Sequence, residues 1–558
     1  MTKYKTVLLS TAAILAVGTT FAVTGPVAVA KDKTTTTVTE TVDALTTKTP
    51  IKHLVVIFNE NRSFDHYFAT YPNAINVDGE PRFEPNKNTP AVINNLESNG
   101  LLFNNPNLTA ANGTNASNPF RLDRTQANTS DQSHAYTNEQ EAYDAGKNDL
   151  FPLDTGSGTS GAAGAFGTKA QVMGYFDGNT VTAFWNYAQN YAMSDNAFTD
   201  TFGPSTPGAL EMFSGQTNGA VYPSPFKPTG VADGQGGFTQ NGDTDPFFDT
   251  CSSATSRVQM TSKNIGDLLN GANIPWGSFV GGFNLTTIND NGSTGCSRST
   301  VGQVVGKETD YVPHHIWFQY YASTSNPNHL APDSVASIGL TNVAGKTKAD
   351  PANHAYDLNQ FEAAVSQGNF PAVSFIKQSS FQDGHPGNSD PLDEQTGVVN
   401  LINFLQQQPD WDSTAVIINY DDSDGWYDHV TAPITQASFS TQDALNGTGM
   451  CGTPGQAEPL GLNGGMVAGR CGPGTRTPFL VISPFAKKNY VSHVQISQAS
   501  IPQFVEDNWL KSERLGGGSF DATTGSIMDM FDFTQKKSVK LILDPTFGTV
   551  DSSTKIKN

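Results

Sequence analysis

Positive charge is scarce in this chain. Lys and Arg number 32 against 52 Asp and Glu among 558 residues, a formal net charge of −20 at pH 7. The basic residues nowhere cluster, which argues against a nucleic-acid partner, since phosphate backbones are bound by Lys and Arg groups. Cysteine is rare too: there are four, and none has the Cys-x-x-Cys spacing of a tetrahedral zinc site. Beyond residue 30 no apolar run reaches the about 18 residues a membrane-spanning helix needs, so no stable membrane anchor is expected in the mature chain. Charged residues make up only 15%, while Gly 53 and Pro 32 favour a loop-rich protein. A chain this long ordinarily splits into domains, although large α/β enzymes can decorate one sheet with long insertions.

At the start, Lys3 and Lys5 precede the apolar stretch Val7 to Val23, and Ala28-Val29-Ala30 offers a small-x-small cleavage site. Residues 1–30 therefore read as a secretory signal, and the mature protein as secreted; an uncleaved signal anchor is the rival reading. Residues 31–50, with Thr34 to Thr37, read as a Thr-rich linker. Four cysteines suit an exported protein, and sequential pairing, Cys251 with Cys296 and Cys451 with Cys471, is the most economical connectivity.

Two apolar runs end abruptly in polar residues: His53 to Phe58 leads to Asn59-Glu60-Asn61, and Ala415 to Tyr420 leads to Asp421-Asp422. Near-continuous apolar runs suit strands covered on both faces, and Phe370 to Ile376 and Pro478 to Ile482 supply two more. Helical texture is expected over Gln171 to Ala192, Ile265 to Asn270, Tyr356 to Ser366, Val398 to Gln407 and Ile501 to Leu510. The Asn-, Pro- and Thr-rich residues 73 to 130 look like a long surface excursion. Strands alternating with helices predict an α/β sandwich, whose ligands bind beyond the carboxyl ends of the strands. If the two runs are neighbours, three carboxylates and an amide meet in one crevice and require a cation.

Between the runs lies Gly203-Pro204-Ser205-Thr206-Pro207-Gly208. Pro207 suits the first turn of a helix with Thr206 as its cap, which sets Ser205 beside outward-facing N–H groups that attract phosphate. A serine next to a divalent cation can attack phosphorus; a plain Gly-Pro turn looks the same locally. Of ten histidines, His134, His314, His315 and His385 fall in polar or turn contexts and can donate to a phosphoryl oxygen or protonate a leaving alkoxide. Asp65 and His66 suggest a mutual structural hydrogen bond, and His429 is ambiguous. His53, His329, His354 and His493 read as structural or surface residues.

Glu60 to Phe68, Gly203-Pro204-Ser205, Pro313-His314-His315, Gln382-Asp383-Gly384-His385 and Tyr420 to His429 together resemble the bacterial phosphoesterase family of acid phosphatases and phosphatidylcholine-type phospholipases C. Matching segments run over residues 51–545, leaving 546–558 as a tail. The resemblance implies an alkaline-phosphatase-like three-layer α/β/α sandwich with long loop insertions. It also implies one bound divalent metal on Glu60, Asn61, Ser205, Asp421 and Asp422, with Ser205 as nucleophile. His134, His314, His315 and His385 match positions near the phosphate. All-oxygen ligation favours calcium, magnesium or manganese. Serine rather than threonine at the nucleophile position tilts the expectation toward a secreted acid phosphatase hydrolysing phosphomonoesters through a phosphoserine, with an acidic optimum. The alternatives are a phospholipase C cleaving phosphatidylcholine-type diesters and, from another class, a non-catalytic cell-surface binding protein. Nothing in the sequence speaks to oligomeric state.

Overall fold

The computed structural model describes residues 42–341, 350–535, 540–552 and 554. The predicted signal and most of the Thr-rich linker lie outside the described residues. From Val42 onward the chain is already packed: Val42 is buried, and Thr49 N–H donates to Asn508 Oδ1 at 2.9 Å.

The centre is an eight-stranded sheet. Its strands are β1 (His53–Asn59), β2 (Ala192–Ser194), β3 (Trp276–Val280), β4 (Ala355–Asp357), β5 (Val373–Lys377), β6 (Thr414–Tyr420), β7 (Phe479–Ile482) and β8 (Tyr490–Ser492). Their spatial order is β4-β3-β5-β1-β6-β7-β2-β8. Only β7 runs against the rest. Every residue of β1 and β6 is buried, as near-continuous apolar runs require when both faces are covered.

The helices that matter here are α1 (Phe64–Phe68), α2 (Thr182–Asn190), α3 (Ser205–Ser214), α4 (Ile265–Gly271), α5 (Leu358–Ser366), α6 (Pro391–Gln407) and α7 (Ser500–Trp509). Strand alternation shows that they form two layers. Asn59 and Tyr420 are register partners, and both donate to Glu394 Oε1 of α6, at 2.8 and 2.6 Å. One residue earlier, Phe58 points to the other face, edge-on to Trp317, and Phe375 on that face packs against Phe213 of α3. The α2/α6 and the α3/α4/α7 groups thus sandwich the sheet. A second sheet of five short strands comes from the insertion between residues 218 and 260.

Cys251 pairs with Cys296 and Cys451 with Cys471, as the spacing suggested. Residues 73–130 form turns, three short 3-10 helices and the strand Phe120–Leu122, pinned in part by buried asparagines; Asn107 Nδ2, for example, donates to Asn148 O at 2.8 Å. No helix among the described residues is long and apolar enough to cross a membrane.

Three local expectations are corrected. Helix does not span Gln171 to Ala192: a short strand, Gly174–Phe176, and a turn at Asp177 precede α2. Glycine is required in that turn, because a Cβ on Gly178 would lie 2.4 Å from the Trp185 ring. Thr206 is not a cap either, since α3 already begins at Ser205 and has no side-chain cap from Pro204. Asp243, from a distant loop, accepts from Thr206 N–H at 2.9 Å and does the cap's work. Finally, Asp65 and His66 do not bond each other. His66 Nδ1 meets Gly174 O and its ring stacks on Trp426, while Asp65 bonds His429 and Arg476.

Candidate active site

The sheet brings its polar termini together at one edge. β5, β1 and β6 are parallel neighbours, so Lys377, Glu60-Asn61 and Asp421-Asp422 leave it side by side. The Asn61 N–H donates to Asp421 Oδ1 at 3.1 Å, and Arg62 N–H to Asp422 O at 3.0 Å. Asn61 holds a left-handed backbone at φ 52°, a strained state for a non-glycine residue that recurs at functional sites. Helix α3 closes the crevice. A Cβ on Gly208 would sit 2.1 Å from Asp421 O, so only glycine lets the first turn of α3 lie against that backbone. Ser205 Oγ is thereby carried to 3.2 Å from both Glu60 Oε2 and Asp422 Oδ2.

Glu60, Asn61, Ser205, Asp421 and Asp422 are all buried. Burial, together with the neighbouring Glu60, raises Asp421 well above the usual carboxylate range; burial and Asp421 do the same to Asp422. Three carboxylates cannot stay ionised together here without added positive charge. Asp421 Oδ2 has no hydrogen-bond donor among the described residues. One end of the Asn61 carboxamide lies 2.7 Å from Glu60 Oε2 and 3.2 Å from Asp421 Oδ1. With nitrogen there the amide donates to both; with oxygen there, a ring of acceptors is left that a hard divalent cation fits.

The outer oxygen of Glu60 is held differently. Lys377 Nζ bonds Glu60 Oε1 and lies 3.2 Å from Asp383 Oδ2, and His315 Nδ1 lies 3.0 Å from the same Glu60 oxygen. Burial works against the charge on Glu60, but His315 and Lys377 outweigh it and hold its carboxyl well below the usual range. The charge responsible is that of Lys377, because burial pushes His315 down to about 3 despite Glu60. Asp383 is pushed up to about 7 by burial, with Lys377 opposing.

The four singled-out histidines do converge. Ring centroids step 6.3 Å from His134 to His385, 5.8 Å from His385 to His315 and 4.4 Å from His315 to His314. Burial lowers His315 and His385, whereas His314 is raised, because Asp243 and Asp245 outweigh burial there. His314 Nδ1 lies 3.6 Å from Asp245 Oδ1. His429 belongs to a separate buried cluster with Asp65, Asp428 and Arg476. His53, His329, His354 and His493 bond Pro371 O, Asp249, Trp276 O and Asp195. Sequence reading missed Lys377, Asp383, Asp243 and Asp424; the one available signal was Asp383 and Asp424 falling inside segments already singled out.

Solved structures similar to the chain include a variant of alkaline phosphatase PafA, 11% identical, covering 62% of this chain and 94% of that one at a TM-score of 0.31. Murine ectonucleotide pyrophosphatase / phosphodiesterase 5 is also 11% identical, over 63% of this chain and 95% of that one, at a TM-score of 0.29. Among curated relatives, the non-hemolytic phospholipase C of Burkholderia pseudomallei is 24% identical over 82% of this chain; the chain spans 55% of that protein's length. Phospholipase C B of Mycobacterium tuberculosis is 23% identical over 87% of this chain and 78% of its own length. Non-specific phospholipase C4 of Arabidopsis thaliana is 22% identical over 82% and 68%. The Phosphoesterase family model matches residues 51–510, and the chain belongs to that family.

Proposed function

We propose that the chain is an exported, metal-dependent phosphoester hydrolase whose Ser205 attacks phosphorus, and that its substrates are phosphomonoesters. The carrying observation is Ser205 Oγ, buried at the start of α3 and 3.2 Å from two metal-type carboxylates. Glu60, Asn61, Ser205, Asp421 and Asp422 would hold the cation, which supplies the charge that activates the serine and offsets the phosphate. The Ser205 hydroxyl donates to Glu60 or Asp422, so its proton leaves toward a carboxylate as the Oγ–P bond forms. The P–O bond to the alcohol breaks, and the departing alkoxide takes a proton from His314. Water then cleaves the phosphoserine: His314 takes a proton from that water as its oxygen bonds phosphorus, and the carboxylate returns its proton to the departing Ser205 Oγ. Lys377 and His315 keep Glu60 Oε2 turned inward. Two disulfides fit an oxidising, extracellular setting.

The relatives named phospholipases C support a second reading, in which the substrate is a lipid phosphodiester. Comparing kcat/KM for an aryl phosphomonoester and for phosphatidylcholine on one purified sample decides between them. The monoester should be faster; a much higher value for the lipid reverses the ranking, and no turnover of either favours a binding protein.

A raised His314 also sets a pH dependence. Its protonated form persists above the ordinary pKa of about 6.5, so kcat/KM should fall on an alkaline limb above that value. Asp245→Asn should move the limb to lower pH, and His314→Gln should remove it with a ~10²-fold or greater loss on alkyl phosphates. A limb unchanged in both variants takes His314 out of proton transfer.

A further inference from the structure

The backbone that leads into Ser205 is pinned by a carboxyl that the proposed chemistry leaves unused. Glu139 sits on the helix Tyr136–Tyr143 and is buried. Its Oε2 accepts from Gly203 N–H at 2.9 Å, and its Oε1 accepts from Ser423 Oγ at 2.6 Å. Gly203 lies two residues before Ser205, and Ser423 directly follows Asp422. One side chain therefore ties the turn that carries the nucleophile to the loop that carries two of the cation's carboxylates.

The groups flanking that tie are held elsewhere. Phe202 N–H donates to Cys471 O at 2.9 Å, Pro204 has no N–H to give, and Thr206 N–H is taken by Asp243. Gly203 itself stands at φ 122°, a conformation that favours glycine, and an added Cβ would lie 3.2 Å from Asn241 O. On the other side, Ser423 Oγ also accepts from Gly425 N–H at 3.0 Å, so the tie continues into the bend that follows Asp422. Burial pushes the Glu139 carboxyl up to about 7, against the pull of Ser423 and Gly203, and no lysine or arginine pairs with it among the described residues. An apolar side chain of similar size would spare the fold that desolvation. What the carboxyl contributes is geometry: its two oxygens take one donor from each segment at once.

We propose that Glu139 is a positioning residue, a strap that fixes Ser205 Oγ against Glu60 and Asp422 for attack on phosphorus without itself touching substrate or cation. The inference rests on the reading of Ser205 as nucleophile. Attack needs the reacting atoms held in place, and a displacement of about 1 Å can cost ~10²-fold in rate.

The test is steady-state kinetics on the better of an aryl phosphomonoester and phosphatidylcholine, with bound metal per chain and circular dichroism measured on the same samples. Glu139→Leu keeps most of the volume and removes both oxygens, so kcat should fall ~10²-fold while KM and metal content stay near wild type. Glu139→Gln should recover most of that loss, because its carbonyl oxygen can accept from Gly203 N–H while its NH2 donates to the Ser423 hydroxyl. Ser423→Ala deletes one anchor and should lower kcat less than Glu139→Leu does, again at constant KM; it carries the test if Glu139→Leu does not fold. Wild-type kcat in Glu139→Leu or in Ser423→Ala overturns the strap, as does a loss shared by KM and metal content that glutamine does not recover. Ser205→Ala, run beside them, separates the two ways of failing. An inactive Ser205→Ala with an unaffected Glu139→Leu sinks the strap alone, and a fully active Ser205→Ala sinks both the strap and the nucleophile.

Discussion

Ser205→Ala should lower kcat by at least ~10³, the scale of loss for a group that acts as one unit with its partners. Acid quenching of the wild type during turnover should trap phosphate on the peptide that contains Ser205, and the alanine variant should trap none. Thr206 is the internal control. Its hydroxyl lies 3.1 Å from the Tyr320 hydroxyl and 3.4 Å from His314 O, so it is tied into the wall behind the crevice. Thr206→Ala should therefore cost about 1 kcal/mol of stability, the worth of an ordinary hydrogen bond, and leave the trapped species on Ser205. Label on Thr206, or near-normal turnover by Ser205→Ala, would mean that the residues at the start of α3 only shape a turn.

What could be read in advance was the chemistry that sits at the ends of apolar runs. β1 and β6 announce themselves because both faces are covered, and Glu60-Asn61 and Asp421-Asp422 stand out against that background. Strand order is a different matter, being set by packing among segments far apart in sequence. Lys377 shows the cost. One lysine closing Val373–Lys377 looks like any solvated strand end until β1 is placed beside it and Glu60 is found at its head. Asp243 is equally silent, lying in a loop whose purpose shows only once the distant Thr206 N–H and His314 are placed beside it. Local proximity also misled: Asp65 ignores its neighbour His66 for His429 and Arg476, because a buried carboxylate is satisfied better by a guanidinium together with the backbone N–H and imidazole of His429 than by a ring already bonded to Gly174 O and stacked on Trp426. The texture of Gln171 to Ala192 misled differently: its apolar spacing masked Asp177-Gly178-Asn179, a turn signature that the chain uses just before α2.

Lys377→Met should be the most destabilising single change at the site, although it adds no bulk. Lys377 Nζ bonds Glu60 Oε1 and lies 3.2 Å from Asp383 Oδ2, and all three side chains are buried. Burial opposes its ammonium, but Asp383 and Glu60 more than compensate and raise its pKa, so it is charged throughout the working range. Removing one partner leaves a buried carboxylate uncompensated, a loss of about 3–5 kcal/mol. The pH dependence follows from Glu60, whose folded pKa is depressed. Its contribution is present above the unfolded value of about 4.3 and is lost as pH falls through the folded one. The gap in Tm between wild type and Lys377→Met should therefore be widest at neutral pH and shrink as pH falls, because the buried carboxylates of the variant, raised once the ammonium is gone, escape their penalty by protonation before Glu60 of the wild type does. Lys377→Arg should recover part of the gap, since it restores the charge in a less compact form. Equal melting temperatures for wild type and Lys377→Met at pH 7 would show that this ammonium does not hold Glu60, and the inward aim of Glu60 Oε2 toward Ser205 would need another cause.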